Sequence, residues 1–185
     1  LKLGAAPNFT SPDGRHPVPT VAGGDNDRLL ELLLEHGADP NAKNLDGEPA
    51  LFDAIGFERW TQIKMLIERG ANLNKTDKRN MTPLLYAATL NKFKVAHYLI
   101  EHRADYTKRD ASGGDVAWEI HDKLENNLIN PQFDAYEWAQ KVKEQLKERG
   151  VDFPPPSPRD IRIREGRPNR WDKKAMEKEK QQDNR

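Results

Sequence analysis

The chain has 185 residues, with 30 Lys+Arg balanced by 30 Asp+Glu, 36% hydrophobic residues and no cysteine. A net charge of zero speaks against a general nucleic-acid binder and against electrostatic adhesion to membranes. The missing thiols exclude disulfide frameworks, thiolate zinc sites and cysteine nucleophiles, and no apolar run approaches the roughly 18 residues of a membrane helix.

The N-terminal stretch "LKLGAAPN" (1–8) returns as "LLEHGADPN" (33–41), "IERGANLN" (67–74) and "IEHRADYT" (100–107). Gly4, Gly37, Gly70 and Arg103 are spaced 33 residues apart, which calls for a repeat architecture. The chain opens on Leu1 inside what reads as the end of one unit. A preceding segment, with any targeting signal, is therefore expected to be missing.

The first full unit carries the turn "PDGRHPV" (12–18) and a first helix weakened by Pro19, Gly23 and Gly24, expected to be short or distorted. Its second helix sets Leu29, Leu30, Leu33 and Leu34 on one stripe. The next unit has "LDGEPAL" (45–51), then Gln62, Ile63, Leu66 and Ile67 on the same columns. The third has "KRNMTPL" (78–84), with Thr82 as cap and Pro83 in the first helical turn, then Val95, Ala96, Leu99 and Ile100. Gly14, Gly47, Asn80 and Gly113 fall on one turn column that suits positive φ. Ala54, Ala87 and Ala88 let neighbouring helices approach closely. A C-cap glycine ends each second helix, except that Arg103 takes the place. A left-handed arginine costs on the order of 1 kcal/mol, so a looser cap is expected there.

The fourth unit departs from the period. Its first helix is expected over 116–124, an insertion "ENNLINPQFD" comes next, and a second helix over 134–148 points Tyr136, Ala139, Val142 and Leu146 inward. Gly70 and Gly150 are 80 residues apart rather than 66, so 14 are inserted, as in an atypical terminal unit covering the end of a stack. Residues 151–185 are read as a Pro-rich, basic tail, with "FPPPSP" (153–158) outside any helix. Composition favours a solvated, weakly helical extension. The alternatives are an arm for a partner's groove and an RNA-binding strip around Trp171.

Turn, helix, helix and loop at this period resemble the ankyrin repeat, on "TPLLYAA" (82–88) and "LLLEHGADPN" (32–41). The resemblance implies an all-α solenoid over 1–150, with units ending near 8, 41, 74 and 107 and a capping unit to 150. It also implies that turn tips and first helices make a concave face that binds another protein. On the first helices the outward columns hold Asp53, Phe57, Tyr86, Leu90 and Glu119; the tips offer Lys43, Asp46, Asp77, Lys78, Arg79, Met81, Lys108 and Arg109. Arg162, Arg164 and Trp171 are the tail's candidates. Aromatic, Met and mixed charges suit a protein interface. The rival reading makes Phe57 and Leu90 inter-unit packing and the charges a solvated rim. Trp60 and Phe93, on one column, read as packing residues.

No HExxH, GxSxG or P-loop occurs, and the paired carboxylates lie on ordinary charged faces. Neither catalysis, a metal nor a cofactor is expected. The partner expected is a protein, with no nucleic acid, no membrane insertion and a monomeric free state. Residues 50–110 and "VKEQLKERGVDFP" (142–154) are also similar to bacterial ankyrin proteins, some of which resemble immunity proteins encoded beside type VI secretion phospholipase effectors. That resemblance implies a periplasmic location, otherwise cytoplasmic, and occlusion of a toxin's active site. A general ankyrin scaffold is the alternative.

Overall fold

Four side chains one repeat apart close the four turn tips. In the computed structural model, which describes residues 6–183, Ser11, Asn44, Asp77 and Asp110 each turn a side-chain oxygen back onto the backbone just beyond them. Asp77 Oδ1 accepts from the Arg79 and Met81 N–H groups at 2.8 Å each, and Asp110 Oδ1 from Ser112 and Gly114 at 2.8 and 3.0 Å. These Asx-type bonds satisfy backbone donors that no strand partner reaches. Each tip turns through a left-handed residue, Gly14, Gly47, Asn80 or Gly113. Gly4 lies outside the described residues.

From each tip the chain enters a helical hairpin. The first helices are α1 (Pro17–Ala22), α3 (Ala50–Gly56), α5 (Pro83–Thr89) and α7 (Val116–Glu125). The second are α2 (Asp27–Glu35), α4 (Trp60–Glu68), α6 (Phe93–Glu101) and α8 (Asp134–Glu148). Among the described residues there is no strand, only one isolated bridge between Lys43 and Pro49. Helix α1 is six residues long, as Pro19 and the two glycines foretold. Thr82 caps α5 by accepting from Leu85 N–H, and Asp115 caps α7 by accepting from Trp118 N–H. Helix α8 occupies the span read from sequence.

The first helices pack in a row, α1 on α3 on α5 on α7, and the second helices lie behind them. Between the layers Leu30, Phe52, Ile55, Ile63, Leu66, Phe93, Leu99, Ile120, Val142 and Leu146 are wholly buried. Each is worth about 1.5–3 kcal/mol relative to exposure. Ala54, Ala87 and Ala88 have no exposed surface, so the first helices meet closely. The stripe of α2 is narrower than its sequence suggests, because Leu29 is exposed. That residue is one position off the inward line, at the N-terminal end of the helix.

A ladder of asparagines joins the units. Asn8, Asn41 and Asn74 each accept from a backbone N–H 31 residues on, at Asp39 (2.7 Å), Asn72 (2.7 Å) and Asp105 (2.9 Å). Asn8 and Asn41 also donate to the carbonyls of Gly37 and Gly70. The ladder ends at Thr107, which turns onto its own unit's Asp105.

The expected loose cap at Arg103 is not seen. Arg103 sits at φ 67, beside Gly37, Gly70 and Gly150 at 83 to 84. The closing bond from Ala104 N–H to the Leu99 carbonyl is 2.9 Å, the same as its counterparts from Ala38 and Ala71. The core and the next unit fix the backbone, and the strain is absorbed locally.

The C-terminal segment differs from expectation. Pro158 is not outside a helix. It opens α9 (Pro158–Arg164), where its missing N–H costs nothing, and Ser157 and Asp160 cap each other reciprocally. A second helix, α10 (Arg170–Asp183), completes the segment. Ile161 is buried, and the Pro158 carbonyl lies 3.2 Å from where a Cβ on Gly113 would stand, so this close approach, together with φ +92, favours glycine under α9. Arg162 donates to the Ser112 carbonyl and pairs bidentately with Asp172 at 2.7 Å twice.

Candidate protein-binding face

Tips and first helices together form one side of the stack, and the predicted residues distribute unevenly over it. Between the first two units lies an open cavity of about 270 Å³ walled by Arg15, His16, Thr20, Leu45, Asp46 and Asp53. Asp53 stands half-buried at its base, accepting from Asn44 Nδ2 at 3.3 Å on both carboxylate oxygens. Burial pushes its carboxyl up from 3.8 to about 6; the Asn44 hydrogen bond opposes this, while Glu48 and Asp46 reinforce it. A carboxylate held this way is poised to accept a cation or a donor from outside.

Tyr86, one helix further along, is half-buried and stacks on Phe52 with centroids 4.9 Å apart. Burial raises its phenol, with Glu48 and Asp53 adding to the rise. Its hydroxyl faces Gly56 of the preceding helix, where an added Cβ would lie 3.2 Å away. Phe57 is 66% exposed and Leu90 40% exposed, at the C-terminal ends of α3 and α5. Phe57 nevertheless covers Gly23 of the preceding unit, so it both packs between units and presents an open ring edge.

Two candidates are corrected. Met81 is 7% exposed and belongs to the core, and Asp77 is 8% exposed with its carboxylate spent on closing the third tip. Those backbone bonds and Arg79 beside it hold Asp77 below the usual carboxylate range, against its burial. Both sit on the tip by sequence, but the Asx bond turns them inward. Glu119 is half-buried and pairs with Lys123 at 3.2 Å. Arg109 is tied to Asp115 at 3.7 Å and to Glu165 of the segment after α9 at 3.3 Å. Arg162 likewise serves the dock of α9 rather than an open surface. Lys43, Asp46, Lys78, Arg79, Lys108 and Arg164 are exposed, and Trp171 is 71% exposed on α10.

Charge is unevenly spread along the face. Exposed Asp46 and half-buried Glu48 and Asp53 gather on the second unit, with Lys43 beside them, and Lys78 and Lys108 stand exposed on the third and fourth tips. Sequence reasoning missed Asn44 and Glu48 as well as the cavity. The column Ser11, Asn44, Asp77, Asp110, at the same step of 33, carried the signal for the tips. His36 and His102 close the ends of α2 and α6 with Nδ1 2.8 Å from the Leu32 and Tyr98 carbonyls. Among the described residues no group of three or more His, Asp or Glu is placed to hold a metal, and no helix is long and apolar enough to cross a membrane.

The family model for ankyrin repeats, in three copies, matches residues 3–110. With that match over more than half its length and this fold, the chain belongs to the ankyrin-repeat family, a protein–protein interaction module. No curated protein matches the chain.

Proposed function

We propose that the chain works without catalysis, by holding a partner protein across its tips and first helices. The reading rests on the uneven charge of that face: carboxylates around the cavity at Asp53, exposed cations at Lys78 and Lys108, and Tyr86, Phe57 and Leu90 between them. Such a surface selects a partner of opposite polarity along its length and steers it into register. The finer reading is an immunity protein for a lipase-like antibacterial effector, acting in the periplasm by covering the toxin's substrate entrance. Its support is the likeness of 50–110 and 142–154 to bacterial ankyrin proteins, some of which resemble such immunity proteins.

Purified chain mixed with a lipase effector encoded beside its gene tests both levels. Immunity predicts a stable complex, loss of the effector's ester hydrolysis and rescue of cells that express the toxin. The double variant Asp46→Lys/Asp53→Asn weakens the complex by roughly ten- to hundredfold, and a thermal melt of the variant controls for folding. A complex that leaves hydrolysis untouched favours a general scaffold. A complex indifferent to the double variant removes the front face as the site.

A further inference from the structure

The C-terminal helix pair carries charge that neither its own fold nor the front face uses. Its carboxylates are mostly spent on holding it in place. Asp160 closes the Ser157 cap, Glu165 takes Arg109 and Arg167, Asp172 takes Arg162, and Glu179 takes Arg159 at 2.9 Å. Arg164, Arg170, Lys173, Lys174 and Lys178 are exposed, and among the described residues none has a carboxylate within ion-pair distance. Of the pair's described side chains, Glu177 is the one carboxylate left without a cation.

The helix sorts these groups by face. Asp172 is buried and Ala175 and Met176 are half-buried, which marks the inward side of α10. Arg170, Lys174 and Lys178 recur every fourth residue on the opposite side, about 6 Å apart along the axis, with Lys173 beside them. Trp171 flanks this line at its N-terminal end and is 71% exposed. The turn beneath the indole is fixed. Asn169 Oδ1 accepts from the Trp171 and Asp172 N–H groups at 2.8 and 2.9 Å, and Asp172 Oδ2 accepts from Asn169 N–H at 2.9 Å. An indole on such an ordered turn offers a large apolar area at little further ordering cost.

We propose that the outward face of α10 docks on an acidic surface of a partner protein. Carboxylates of that surface meet Arg170, Lys174 and Lys178, and an apolar side chain among them covers Trp171. Charge selects the sign, since the unpaired cations stand against Glu177 alone. A bilayer is a poor match, because Trp171 is the single large apolar side chain on that face. A nucleic-acid strand would find cations for its phosphates, but one stacking platform on a convex helix and no groove to follow. The site stands beyond the fourth tip, where Arg162 donates to the Ser112 carbonyl, and does not depend on the front-face reading.

The test uses the full chain and three fluorescein-labelled probes. They are a peptide alternating Glu with Leu and Phe, the same peptide with Lys in place of Glu, and a uridine oligonucleotide of the acidic peptide's charge. Anisotropy is expected to show saturable binding of the acidic peptide, weaker binding of the oligonucleotide and none of the Lys peptide. Lys174→Glu/Lys178→Glu should weaken the acidic peptide by roughly tenfold or more, and Trp171→Ala by roughly threefold or more. A circular-dichroism melt of each variant controls for folding. Asp46→Lys/Asp53→Asn should leave peptide binding unchanged, so a failed front face and a failed α10 site give different patterns. No saturable binding of the acidic peptide, equal binding of the Lys peptide, an oligonucleotide bound as tightly, or either α10 variant binding like the parent overturns the proposal.

Discussion

The middle units and the C-terminal pair α9–α10 are both pairs of consecutive helices, yet they are held by different forces. The middle units share an apolar wall and an asparagine ladder, so each residue buried there answers to two neighbours. The C-terminal pair meets the stack through buried Ile161, the Arg162–Asp172–Ser112 link and the Arg109–Glu165 pair. A repeat body distributes its stability; an appended hairpin concentrates it in a few groups.

The largest contrast comes from the core. Phe93→Ala should lower stability by about 3–5 kcal/mol in urea denaturation and unfold the whole stack. Ile161→Ala should leave that transition nearly in place and show up as faster proteolysis after Phe153 instead. A large, equal loss from both would mean that α9–α10 folds as one unit with the repeats. Next comes the ladder: Asn41→Ala takes the side-chain acceptor from the exposed Asn72 N–H and should cost about 0.5–1.5 kcal/mol by the same denaturation.

A smaller effect separates two carboxylates by the sign of their pH response. Asp53, raised to about 6, favours the fold while protonated, so its contribution is complete below 3.8 and is lost as pH rises through 6. Asp53→Asn should therefore stabilise by about 1 kcal/mol at pH above 6, after allowance for water around a half-exposed group. The gain should vanish below pH 3.8. Asp172 behaves in the opposite way. Its hydrogen-bonded pairing with Arg162 holds it near 2, so docking of α10 is fully supported above 3.8 and fails as pH falls towards 2. Pepsin digestion across that interval should release the C-terminal segment first, and Asp172→Asn should show the same release at neutral pH with another protease. Smallest is Arg103→Gly, which should stabilise by roughly 0.5–1 kcal/mol, the left-handed penalty less the entropy of a freer unfolded chain. A thermal melt reads it.

The repeats were legible because Gly37 and Gly70, the Thr82–Pro83 start and the stripe Val95, Ala96, Leu99, Ile100 each state one local rule and agree on one period. Even the insertion was legible, since α8 keeps its own stripe through Ala139, Val142 and Leu146. Side-chain direction at the tips was less readable. Asp77 and Met81 are polar and apolar neighbours of an exposed turn, and only the Asx hydrogen bonds decide that both face inward. The α9–α10 dock left a faint signal, because one isoleucine and two ion pairs among ten basic and six acidic residues do not form a pattern. On the candidate face the sequence pointed to Asp46 and Asp53, but the cavity that they wall needs Arg15 and His16 from another unit.

The asparagine ladder gives the array a grammar. Every amide reaches forward, so each middle unit has a trailing edge that fits the leading edge of any copy of itself. A duplicate of residues 42–74 spliced in after Asn74 would find both of its seams already made. At Thr107 the forward reach stops, and the closing unit beyond it has a different length. Such a molecule lengthens from within and keeps its ending, and a wider partner would be met by adding tiles to the middle.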